Sequence, residues 1–129
     1  MTEIRSYQDL VVWQKSMDLA VSIYDVTRAF PQSELYGMTS QMRRSAASVA
    51  ANIAEGYGRE STRSYIHFLK TARGSLKELE THAILSQRVK LMSEETCRPL
   101  LKDSSLIGIM LNSLIRSLIK QAPSAPEDD

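Results

Sequence analysis

Apolar residues recur every three or four positions from Leu10 nearly to the C-terminal end, and period-two alternation is almost absent. That spacing constrains the chain more than any other feature, because it suits α-helices that bury one side and leaves little to build a sheet. Breakers divide it into four segments. The first helix is expected over about Asp9 to Arg28, stopped by Phe30-Pro31, and the second from near Leu35 to Tyr57. A third follows Ser61, a good N-cap, to about Lys90. The fourth starts after Ser93 with Glu94 and Glu95 in its first turn and ends near Gln121, before Pro123. Pro99 lies past that first turn and predicts a kink or a delayed regular start. Short connections favour antiparallel neighbours, so the expected fold is all-α, an up-down-up-down antiparallel four-helix bundle. Residues 9–121 form the bundle, residues 1–8 an N-terminal arm, and residues 122–129 a disordered acidic tail. A chain of 129 residues is one domain that needs no metal or disulfide to hold its core.

The apolar surface exceeds what one such bundle can bury. Helix one carries two stripes, Leu10, Trp13, Met17, Ala20 and Tyr24 beside Val12, Leu19, Ile23, Val26 and Phe30. Helix four does likewise, with Ile107, Leu111, Leu114 and Leu118 next to Leu106, Met110, Ile115 and Ile119. A bundle helix needs a single face of this kind, so self-association is the simplest cover for the second. Helix two answers the same need in a different way. Met38, Met42, Val49 and Ile53 share its large-residue face, whereas Ala46, Ala50 and Ala54, with Ala47, line the adjoining side. Small residues admit a neighbouring backbone closely, which marks those three alanines as helix-packing or oligomer contacts. Asn52, beside the core face, is expected to satisfy its amide on a backbone group.

The net charge of +1 hides an uneven distribution, because Glu127, Asp128 and Asp129 hold three of the 15 acids. Between Arg43 and Lys77 stand seven basic residues (Arg43, Arg44, Arg59, Arg63, Lys70, Arg73, Lys77) against Glu55 and Glu60. These seven are the candidate nucleic-acid contacts, with a solvated surface as the plainer alternative. On helix three, Arg63, His67, Lys70, Lys77 and Arg88 fall opposite Tyr65, Leu69, Ala72, Leu76, Leu79 and Ala83, so a basic stripe could track a phosphate backbone. No aromatic residue interleaves that stripe, so base stacking along it is not expected. Gly56-Tyr57-Gly58-Arg59 before Ser61 reads either as an anion site at a helix start or as a glycine C-cap followed by a serine N-cap.

The chemistry expected elsewhere is sparse. Glu78 and His82 lie one turn apart, but a di-iron bundle needs Glu-x-x-His on two helices, and Leu79 occupies the required position. No metal or cofactor is expected. His67 and His82 lack an evident nucleophile, and Cys97 has no activating cation beyond Arg98, so the chain reads as no enzyme. A lone cysteine, no apolar run of membrane length and no apolar signal region in MTEIRSYQDL together point to the cytoplasm.

Three blocks carry a family resemblance: "DLVVWQKSMDLA", "FPQSELYGMTSQMRRSAASVAANIAEGYGR" and "FLKTARGSLKELET". They resemble the signature blocks of the 23S rRNA intervening-sequence proteins, over about residues 6 to 120. The resemblance implies a cytosolic bacterial four-helix bundle, a ring-shaped homo-pentamer and no enzymatic activity. The family is similar in turn to accessory proteins of diversity-generating retroelements, which implies RNA or DNA and a nucleic-acid enzyme such as a reverse transcriptase as partners. Two functions therefore stand: an oligomeric nucleic-acid-binding bundle, or an assembly scaffold for a protein partner.

Overall fold

The computed structural model describes residues 3–122. Four helices account for most of them: α1 (Val11–Thr27), α2 (Ser40–Tyr57), α3 (Thr62–Arg88) and α4 (Glu94–Gln121). No strand occurs among the described residues. Each helix packs on its successor and α4 returns to α1, so the four enclose one core. Ile23, Met42, Ile53, Leu69, Leu76, Leu79, Ile107 and Leu111 are fully buried at its centre. Burial stabilises each such side chain by about 1.5–3 kcal/mol.

Local chemistry explains the helix ends. Ser61 Oγ accepts from Ser64 N–H at 3.1 Å, and Ser93 Oγ from Thr96 N–H at 3.0 Å, as their cap roles require. The start of α1 differs from expectation. Ser6 and Asp9 form a reciprocal capping box around a short 3₁₀ turn, Tyr7–Asp9, and the α-helix begins only at Val11. The lead into α2 also differs, since Leu35–Thr39 is kinked at Gly37, whose φ of −109° and ψ of −113° are non-helical, before Ser40. There the Glu34 carboxylate accepts from Met38 N–H at 3.1 Å, and a Cβ on Gly37 would lie 3.0 Å from that carboxylate. Pro99 delays nothing, because α4 runs unbroken from Glu94 through it. Its missing bond would have engaged the carbonyl of Glu95, an exposed residue at which water can substitute.

The two apolar stripes of α1 differ in burial, although Leu10, Trp13 and Ala20 of the outer one still pack partly against the core. Val12, Leu19, Ile23 and Phe30 are buried in the core, whereas Met17 and Tyr24 of the other stripe are exposed. On α4 the core line cuts across both expected rows: Ile107, Leu111 and Ile115 are buried, and Leu106, Ile109 and Ile119 face outward. Between α2 and α3 the contacts pair Met42 with Ser86, Ser48 with Ser75 and Gly56 with Phe68. Between α3 and α4 they pair Arg73 with Asn112, Glu80 with Ser104 and Ala83 with Cys97. Met1 and Thr2 of the expected arm, and the expected tail from residue 123 onward, lie outside the described residues.

Candidate nucleic-acid interface and apolar groove

The seven basic residues fall into four environments. Arg43 lies against α1: its Nε donates to Thr27 Oγ1 at 2.9 Å and Nη2 to the Tyr24 carbonyl at 3.4 Å. Its guanidinium also sits 4.6 Å from the centre of the Tyr24 ring. Arg73 turns toward the opposite neighbour, α4, where Nη1 donates to Asn112 Oδ1 at 2.9 Å. Arg59 folds back over α2's last turn, paired with Glu55 at 2.7 Å and resting 4.6 Å from the Phe68 ring centre. Arg44, Arg63, Lys70 and Lys77 are exposed; Arg44 bonds Gln41 and Lys77 pairs with Glu80 at 3.2 Å. Exposed pairs contribute at most about 1 kcal/mol, so Arg59 can trade a carboxylate for a phosphate at small cost, whereas the Glu80 partner of Lys77 is only 19% exposed.

What the fold does bring together is one outward row on α3. Arg63, His67, Lys70 and Lys77 are all exposed, with Gly74 between the two lysines, and Arg88 is exposed at the helix end. Leu69, Ala72, Leu76, Leu79 and Ala83 are buried on the other side. Arg43 and Arg73 do not join that row, because each is bonded to a neighbouring helix.

The alanines meet a different surface. Ala46 and Ala50 are buried, Ala54 is half-buried, and Ala47 and Ala51 are exposed. Ala47, Ala50, Ala51 and Ala54 floor an open groove of about 590 Å³ whose far wall is the outer stripe of α1, including Trp13, Met17 and Tyr24. Ala46 instead belongs to the bundle's own core. The outer stripe of α1 and the small-residue side of α2 are thus two walls of a single apolar trough.

Both caps of the glycine turn form. Gly58 closes α2 at φ −81°, with its N–H on the Ala54 carbonyl, and Ser61 opens α3. Asn52 satisfies its amide as expected, donating to the Ser48 carbonyl at 2.8 Å. Cys97 is buried, its thiol donates to the Ala83 carbonyl at 3.6 Å, and burial with nearby Glu94 pushes the thiol pKa up. That is the opposite of an activated nucleophile. His82 lies 3.5 Å from Glu78, and no cluster of three metal-ligating side chains occurs among the described residues. No helix among them is long and apolar enough to cross a membrane.

Sequence reasoning missed a polar seam between α3 and α4. Glu80 accepts from the buried Ser104 hydroxyl at 2.6 Å and from Lys77, about two turns from the Arg73–Asn112 bond. Its only signal was a serine on an otherwise apolar line of α4.

A four-helix, all-α protein with a basic outer row and an open apolar trough is the class these features define. Within it, the chain belongs to the 23S rRNA-intervening sequence protein family, whose model matches residues 8–113. It is similar to a crystal structure of a protein of unknown function from the S23 ribosomal protein family of Bacteroides thetaiotaomicron. Identity is 30%, the TM-score is 0.74, and the match covers 81% of this chain and 98% of that one. No curated protein sequence matches significantly.

Proposed function

We propose that this protein is a non-enzymatic, self-associating up-down-up-down bundle that binds the backbone of RNA or DNA through the outer face of α3. The observation that carries the binding role is the exposed row Arg63, His67, Lys70 and Lys77, set opposite a buried apolar face. Such a row offers point charges at helical spacing without base-reading groups, which suits phosphates and not sequence. The contact pairs support antiparallel packing, since numbers rise on one helix as they fall on the next.

Self-association is supported by the trough and by exposed Val21, Leu106, Ile109 and Ile119, apolar side chains that a further copy would remove from water. We propose a closed ring of five, the number the family resemblance implies, which would repeat the α3 row around its circumference. A single buried cysteine is compatible with a reducing, cytoplasmic setting. The trough equally favours a second reading, a scaffold in which a protein partner occupies it and the α3 charges only solvate the surface.

Binding titrations at low and moderate salt decide between them. Wild type should bind duplex and single strands with an affinity falling steeply as salt rises. Arg63→Glu with Lys70→Glu should fold normally, lose most of that binding and flatten the salt slope by about two. Wild type that binds neither nucleic acid at low salt leaves the scaffold. Light scattering that finds a monodisperse 14.5 kDa monomer removes the ring.

A further inference from the structure

Away from the α3 row, one cavity combines aromatic rings with positive charge. It measures about 420 Å³ and lies where the kinked segment Leu35–Thr39 meets α1, lined by Tyr24, Leu35, Tyr36, Thr39, Ser40, Arg43, Arg44 and Ala47. Tyr36 is 92% exposed, the most exposed large apolar side chain on the described surface. An aromatic ring there gains almost nothing from the fold that carries it. The kink at Gly37 is what presents it: Glu34 ties the segment through Met38 N–H, and Gly37 leaves room for the carboxylate.

The opposite wall is prepared as well. Tyr24 is 42% exposed, and Arg43 is held over its ring at 4.6 Å by the bonds to Thr27 and the Tyr24 carbonyl. A guanidinium fixed in this way loses little further freedom on meeting a ligand. Arg44 is exposed beside it, and no carboxylate lines the cavity. Two rings, two guanidiniums and the Ser40 hydroxyl are the groups that recognise a planar base with an attached phosphate. The volume falls in the range of about 300–1,000 Å³ usual for small-molecule sites. A protein hot spot would also use Tyr and Arg, but its aromatic anchors sit in apolar surroundings, and here the apolar trough lies next door.

We propose that this cavity takes one unpaired nucleotide of a single strand, the base stacked on Tyr36 and the phosphate on Arg43 and Arg44. The ligand class rests on the nucleic-acid reading above, but site and chemistry differ. The α3 row would grip any backbone, whereas Tyr36 would select strands whose bases are free, because a paired base offers no open face.

The test uses fluorescence anisotropy with labelled oligouridylate, oligothymidylate and a blunt duplex. Tyr36→Ala should weaken single-strand binding about five- to a hundredfold and leave duplex binding unchanged. Tyr36→Trp should keep single-strand affinity and add a tryptophan signal that the strand quenches. Unchanged single-strand affinity in Tyr36→Ala overturns the inference and leaves the α3 row standing. If Arg63→Glu with Lys70→Glu binds duplex normally while Tyr36→Ala loses single strands, the α3 reading fails and the Tyr36 site stands. Wild type that binds neither ligand overturns both. A Tyr36→Ala protein whose oligomer mass drops makes Tyr36 a subunit contact and also overturns the nucleotide site.

Discussion

Gly56 sits so close to Phe68 that a Cβ on the glycine would lie 2.7 Å from the Cβ of the phenylalanine. Tyr65 crowds the same point at 3.1 Å. The end of α2 and the start of α3 therefore meet almost backbone to backbone, over the same Phe68 that carries the Arg59 guanidinium. Alanine is the better helix former by about 1 kcal/mol, but the obstructing atom is bonded directly to the α3 backbone and cannot swing aside. Gly56→Ala is thus expected to destabilise the fold, by about 1–3 kcal/mol once overpacking is set against propensity. Gly58 is the control, with φ −81° and no atom nearer than 3.7 Å to a new Cβ. Gly58→Ala should stabilise by about 0.4–1 kcal/mol. Urea melts that rank the two variants the other way would refute this account of the turn.

The alanines of α2 should divide by environment. Ala46 is 2% exposed within the core, so Ala46→Leu is expected to cost about 1–3 kcal/mol. Ala51 is exposed on the trough floor, and Ala51→Leu should leave thermal stability of the isolated fold within about 0.5 kcal/mol. If a second copy fills the trough, the same leucine should lower the oligomer mass in light scattering. An Ala51→Leu protein that assembles like wild type would place the subunit contact elsewhere.

Lys90 ends α3 in the left-handed region at φ 68°, the conformation glycine adopts most easily. The closing bonds, Leu91 N–H to the Ser86 carbonyl at 2.8 Å and Lys90 N–H to the Gln87 carbonyl at 3.1 Å, are those of a Schellman cap. Holding a residue with a Cβ there costs about 1–2 kcal/mol, against about 0.5–1 kcal/mol of extra chain entropy for glycine. Lys90→Gly should therefore gain up to about 1 kcal/mol, measured as a higher urea midpoint at unchanged slope.

Alkaline pH should expose Tyr65. Burial, with nearby Tyr57 adding to it, pushes its hydroxyl pKa up to about 12, and the two rings meet edge-on at 6.0 Å. Below pH 10 the tyrosine is neutral in both folded and unfolded chains, and its contribution is complete. Between about 10 and 12 the unfolded chain ionises first, so stability falls as pH rises. Tyr65→Phe removes that loss. The stability difference between wild type and variant should shift toward the variant across this window, and parallel curves would show that Tyr65 titrates normally.

Much of the architecture is written in residue order. Period and breakers place all four helices, because each depends on contacts within a few residues: Ser61 and Ser93 cap their own next turns, and Pro31 ends α1 whatever lies beyond. The α3 row is legible for the same reason, since positions 63, 67, 70 and 77 share a face on any straight helix. The remainder depended on neighbours distant in sequence. Nothing in the spacing of α1 says which stripe faces inward; packing against α2 and α4 buries Leu19 and Ile23 and leaves Met17 and Tyr24 as a trough wall. Arg43 and Arg73 count equally in a charge tally, yet Thr27 draws one to α1 and Asn112 draws the other to α4. Tyr36 reads from sequence as a core or interface anchor, yet the kink at Gly37 turns it to solvent beside Arg43 and Arg44. Helical period is a property of one segment, whereas burial and hydrogen-bond partners belong to pairs of segments, and only folding brings those pairs together.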